Sequence, residues 1–198
     1  MIMQKTSNRT RKRVFIIHGW EASSSSDWFP WLKKELENRG FEVTVPDMPD
    51  TERPNKEVWI TYLASLIGAP DEQTYLVGHS IGGNTVLRYL ESLDNKKIGG
   101  AVLVAPYFGK VVLESGEAKK IADPWLNTPI DFSRIKNVCS NLTFIFSDND
   151  EWVPLENKEF FKEKLSPKII IERGKGHFNE EDDIAELPSA LEALLSFS

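Results

Sequence analysis

The chain reads as an α/β protein built on a mostly parallel sheet of about six strands flanked by helices. Three observations predict this. Short β-branched or apolar runs alternate with longer segments of helical period along the chain, the pattern of repeated βαβ units. The short runs are almost continuously apolar and do not alternate with polar residues, as strands covered on both faces do. The length, 198 residues of which 40% are hydrophobic, suits a single domain able to bury such a sheet.

Taken in order, the strands are expected at 13–17, 41–45, 74–77, 100–104, 141–146 and 168–171, all six buried on both faces. The helices are expected at 27–39, 55–68, 80–93, 155–165 and 183–196. Arg9, Arg11, Lys12 and Arg13 form a basic stretch, read as a flexible tail over 1–12 that leads into Val14–Ile17. Ser23–Ser26 reads as a flexible spacer, since no Gly-Lys-Ser/Thr follows to make a phosphate cradle. Asp27 is placed as the N-cap of the first helix and Gly40 as its stop. Pro154 and Pro188 fall near helix starts or bends, where a missing N–H matters less. Residues 105–134 show no element of their own. A connection of that length is usually functional, and at the carboxyl edge of a parallel sheet, where ligands bind, it is expected to form a short lid-like insertion.

Charge and composition exclude several classes. A net charge of −6 opposes nucleic acid or an anionic membrane as partner. No run approaches the roughly 18 apolar residues of a membrane helix, and the first apolar run is too short for the core of a signal peptide. A lone cysteine, Cys139, fits a reducing compartment, so a cytoplasmic location is expected. His18, His79 and His177 are not spaced as metal ligands. Neither metal nor cofactor is expected.

The chemistry centres on Gly78-His79-Ser80-Ile81-Gly82, directly after the strand-like Thr74–Val77. It reads as a nucleophile elbow, in which a serine sits on a sharp strand-to-helix bend and needs small residues two before and two after it. Gly-x-Ser-x-Gly arises by chance in about one chain in fifteen of this length, so context has to carry the assignment. A serine hydroxyl needs a base, and that base needs an acid to orient it; in such enzymes the chain order is Ser, acid, His. His177 alone follows Ser80. It stands just past the last strand, after Gly174 and Gly176, which are expected to let the loop swing the ring over Ser80. His18 and His79 read as structural. For the acid, Asp148 and Asp150 both follow the fifth strand, and either could instead be a turn or cap residue.

Asp27–Leu36, Met48-Pro49-Asp50, Trp59, Gly78-His79-Ser80, Val102–Val104, Asp150 four residues before Pro154, and Gly176-His177-Phe178 together resemble the α/β-hydrolase superfamily. The likeness is to its small serine hydrolase branch, which includes the retinoblastoma-binding serine hydrolase and its bacterial relatives. The resemblance implies a compact hydrolase fold with minimal lid and makes Asp150 the acid, with Asp148 as loop structure. The Leu-x-Cys-x-Glu signature of the branch's human member is absent, because Ser140 and Asn141 follow Cys139, so no retinoblastoma-type partner is expected. The expected reaction is hydrolysis of a small ester, thioester or amide. Ser80 would be the nucleophile, His177 the base and Asp150 the orienting acid, with the N–H groups of Ile81 and Trp20 binding the oxyanion. Tyr107, Trp125, Trp152 and Phe178 would wall a pocket for a small-molecule acyl substrate. Two rivals stand beside this: a binding or regulatory protein that kept the fold and lost turnover, and a small peptidase or amidase.

Overall fold

The computed structural model describes residues 11–94 and 96–197, so most of the expected 1–12 tail, Arg9 included, lies outside the described residues. The strands are β1 (Arg13–Ile17), β2 (Glu42–Thr44), β3 (Thr74–His79), β4 (Gly100–Val104), β5 (Leu142–Ser147) and β6 (Lys168–Glu172). They form one sheet in the order β2-β1-β3-β4-β5-β6, and every pairing is parallel. The helices are α1 (Phe29–Glu37), α2 (Lys56–Ile67), α3 (Ile81–Ser92), α4 (Gly116–Asn127), α5 (Phe132–Val138), α6 (Asn157–Leu165) and α7 (Pro188–Phe197).

Register decides where the site can be. Ile17 pairs with Gly78, His79 with Val104, Val104 with Ile145 and Ser147 with Glu172. The four inner strands therefore end near one level, and the loops after β1, β3 and β5 emerge side by side at the carboxyl edge. β1, β3, β4 and β5 are almost wholly buried. β2 and β6 are not: they are the two sheet edges, Glu42 and Lys168 are exposed, and Ile171 is 46% exposed. The expectation of burial on both faces fails there because an edge strand lacks one neighbour.

Three local expectations are corrected. Asp27 does not cap α1, whose N-cap is Trp28 without a side-chain bond; Asp27 sits in left-handed backbone at φ 54° and reaches Glu180 instead. Ser23–Ser26 is an ordered turn, not a spacer: Ser23 N–H donates to Ser26 Oγ at 3.0 Å and Ser24 N–H to Asp47 Oδ1 at 2.6 Å. The segment 105–134 holds α4 and the start of α5. α4 was hidden in the sequence by Pro124 in its interior, a residue that ordinarily ends or kinks a helix, and only Ala122 and Trp125 of its residues are buried.

That insertion is bolted down at its far end. Arg88 of α3 is 6% exposed and donates to the carbonyls of Pro129 at 2.7 Å, of Trp125 at 3.4 Å and of Thr128, closing the C-terminal end of α4. Trp125 Nε1–H donates to Pro54 O at 3.1 Å, and its ring meets Trp59 edge-on at 6.0 Å. Among the described residues no helix is long and apolar enough to cross a membrane.

Candidate active site

Ser80 stands between β3 and α3 with φ 53° and ψ −122°, strained for a residue with a side chain. The two glycines explain why the bend is possible. A Cβ on Gly78 would come within 2.6 Å of Gly82 O and Gly83 Cα, and one on Gly82 would strike the carbonyls of Ile17 and His18. Ser80 is anchored by its N–H to Val104 O at 2.9 Å. Its Oγ makes no hydrogen bond among the described residues and faces a cleft of about 610 Å³ that His177 and Trp20 also line.

The loop after β5 brings Asp150 to His177. Nδ1 of His177 lies 2.9 Å from Oδ2 and 3.1 Å from Oδ1 of Asp150. A carboxylate only accepts, so Nδ1 carries the proton and Nε2 is left with its lone pair. The Asp150 side chain is 2% exposed, and its Oδ1 also accepts the N–H groups of Trp152 and Val153, each at 2.9 Å. Asp148 is exposed and takes the Gly174 N–H at 2.8 Å, a loop contact away from His177.

The expected swing of the His177 loop is corrected: the loop is tied at several points. His177 N–H donates to Asp182 Oδ2 at 2.6 Å, its carbonyl accepts from His79 Nε2 at 2.7 Å, and the next carbonyl, of Phe178, accepts the Trp28 indole N–H at 3.0 Å. Gly176 is glycine because a Cβ there would collide with the Asp182 carboxylate. Sequence reasoning missed Asp27, Trp28 and Asp182 as tethers. Trp28 lies in the stretch that carries the family resemblance, which was a usable signal, whereas Asp182 sits in the acidic run Glu180–Asp183, which reads as a solvated surface.

His18 organises the loop after β1. Its Nε2 accepts the Met48 N–H at 2.9 Å and its Nδ1–H donates to Gly19 O at 2.8 Å. Burial lowers its pKa, which keeps the ring neutral for both bonds. The loop passes directly over the nucleophile, since a Cβ built on Gly19 would stand 3.6 Å from Ser80 Cβ. Trp20 is held by its indole N–H to Glu52 O at 3.0 Å. Ile81 opens α3, where the first N–H groups have no partner inside the helix and carry its positive dipole end.

Of the aromatic residues expected around a pocket, Tyr107 and Trp152 line the cleft, with Val111, Leu113 and Val153. Trp125 and Phe178 do not. They are 1% and 0% exposed, packed in the core where burying a large ring outweighs presenting it to a ligand. Cys139 is buried, and burial pushes its thiol up to about 12, far from a reactive thiolate. Among the described residues no group of three or more His, Cys, Asp or Glu side chains could hold a metal ion.

Comparison with known proteins places the chain in a family. The Bacillus subtilis protein YdeN is 32% identical over 187 residues, covering 94% of this chain and 96% of its own. The crystal structure of the B. subtilis ydeN gene product superposes with a TM-score of 0.86 over 94% of this chain and 98% of that one. Serine hydrolase RBBP9 of Rattus norvegicus is 24% identical over 170 residues, 85% of this chain and 87% of its own. The serine hydrolase family matches residues 14–196. The chain belongs to the serine hydrolase family and has the α/β-hydrolase fold.

Proposed function

We propose that the protein cleaves a small carboxylic ester by a two-step acyl transfer to water through Ser80, His177 and Asp150. The observation that carries this reading is the Asp150–His177 pair, at 2.9 and 3.1 Å, opening onto the same cleft as a strained elbow serine. Nε2 of His177 takes the proton from Ser80 Oγ as the oxygen attacks the carbonyl carbon, and Asp150 holds the imidazolium that results. The tetrahedral oxyanion accepts from the N–H groups of Ile81 and Trp20, and removing one such donor typically costs on the order of a hundredfold in rate. Collapse expels the alcohol, which leaves with the proton from Nε2. Water then attacks the acyl-enzyme by the same route and releases the acid. Every proton in this sequence moves between Ser80, His177, the substrate and water.

Tyr107, Val111, Leu113, Trp152 and Val153 give the cleft an apolar wall suited to a short acyl chain. A fluorophosphonate probe should label the wild type and spare Ser80→Ala, and ester turnover should fall by on the order of 10⁴-fold or more in that variant. Equal labelling of both proteins, or of neither, overturns the reading and leaves a binding protein on this fold. Rates across esters of rising acyl length then report the depth of the cleft. Short-chain aryl esters set against aminoacyl amides separate an esterase from a peptidase.

A further inference from the structure

A second imidazole and a second carboxyl group stand beside His177. His79 Nε2 lies 2.7 Å from the His177 carbonyl oxygen. That oxygen can only accept, so the proton is on Nε2 and Nδ1 carries a lone pair. Nδ1 is buried without a hydrogen-bond partner, and Asp27 Oδ2 stands 3.8 Å from it. The Asp27 side chain is 7% exposed. Its Oδ1 accepts the Glu180 N–H at 2.9 Å, while its own N–H donates to Glu180 Oε1 at 3.0 Å. The His79 and His177 rings are 5.0 Å apart.

We propose that Asp27 and His79 are positioning residues for His177: they hold one proton between Oδ2 and Nδ1, and that proton fixes the His79 tautomer that grips the His177 carbonyl. This rests on His177 acting as the base. Without the shared proton, a carboxylate oxygen faces an imidazole lone pair, two acceptors in a buried site. With it, every polar atom of the pair has a use, and a contraction of less than about 1 Å makes the bond. Glu180, Asp182 and His177 act electrostatically on the Asp27 carboxyl, and His177 and His18 on His79. Burial raises the Asp27 carboxyl to about 6, with Glu180 and Asp182 adding to the rise against the opposing Glu180 N–H and His177. Burial lowers His79 to about 3, so the proton resides on the carboxyl side.

Asp27→Asn offers an amide N–H to Nδ1 at every pH and keeps a carbonyl for the Glu180 N–H, while Asp27→Ala offers neither. Asp27→Ala should lower kcat at least about tenfold with KM within about twofold, the mark of a displaced base, and Asp27→Asn should recover most of that loss. The ratio of wild-type to Asp27→Asn kcat should fall as pH rises from about 5 to 9, because the wild type alone can lose the shared proton. A flat ratio, or an Asp27→Ala enzyme as active as wild type, overturns the proposal. Should Asp27→Ala not fold, imidazole ¹⁵N NMR of the wild type decides. A proton on Nε2 of His79 with a bare Nδ1 whose shift moves with pH supports the proposal, and a proton on Nδ1 with a bare Nε2 overturns it. Ser80→Ala separates the two readings: turnover that survives it sinks the catalytic assignment, whereas a flat ratio with Ser80→Ala inactive sinks the couple alone.

Discussion

The elbow that carries Ser80 is held by backbones touching; the loop that carries His177 is held by side chains reaching in from elsewhere. At the elbow the contacts are steric and run from backbone to backbone: Gly78 and Gly82 exist so that β3, α3 and the end of β1 can approach within a distance no Cβ tolerates. At the histidine loop the contacts are polar and distant, with Trp28 reaching Phe178 across 150 positions and Asp27 reaching Glu180 across 153. The first arrangement is brittle and the second graded, because a backbone collision has no partial form whereas tethers are lost one at a time.

Gly82→Ala should break the elbow outright. Its methyl meets two carbonyls that cannot retreat without tearing β1 from β3, so stability should drop by about 4 kcal/mol or more, read by thermal denaturation, and ester turnover should vanish with it. Asp150→Asn should leave the fold intact and lower kcat by about 10⁴-fold, since an amide favours the wrong imidazole tautomer; a loss under about tenfold would detach Asp150 from the chemistry. Asp182→Ala should cost less, about ten- to a hundredfold in kcat, because it removes one tether from His177 N–H and leaves the Asp150 contact. The smallest effect is thermal. Because burial raises the folded-state Asp27 carboxyl to about 6, its contribution to stability is present at low pH and is lost as pH rises through that value. The Tm of Asp27→Asn should therefore gain on wild type by a few degrees, about 2–4 °C, between pH 4 and 7, and a constant difference would contradict the shift.

The same contrast explains what the sequence could tell. All six strands and the elbow were legible because apolar runs and Gly-x-Ser-x-Gly report demands written in residue types at fixed spacing; only the exposure of the edge strands β2 and β6 was not. Asp150 and His177 were legible as candidates from chain order, and the resemblance chose between Asp148 and Asp150. Apart from the resemblance at Trp28, the tethers were not legible: nothing at Asp27 announces a partner 153 positions away, and Asp182, though only five positions from His177, is hidden in an acidic run. α4 was hidden because Pro124 sits in its interior, where a proline ordinarily signals a break. Trp125 and Phe178 were misplaced for a related reason: an aromatic outside a recognised element looks alike in sequence whether it turns into the core, as Trp125 of α4 does, or toward a ligand.

The clamp that Arg88 makes on the end of α4 confines any adjustment of the cleft to a short lip. Asn157 fixes the near side, accepting the Phe108 N–H at 3.0 Å and donating to Lys110 O at 2.8 Å, and α4 begins again at Gly116. Between these anchors Val111–Ser115 all line the cleft, belong to no helix or strand and are stitched to the opposite wall by Val112 N–H to Trp152 O at 2.8 Å. Exchanging Val111–Glu114 changes the mouth of the cleft while leaving Ser115, whose side chain caps α4 by accepting the Ala118 N–H, the buried guanidinium and the Trp59–Trp125 contact in place. This lip is thus a stretch of cleft wall that can be rewritten without renegotiating the fold.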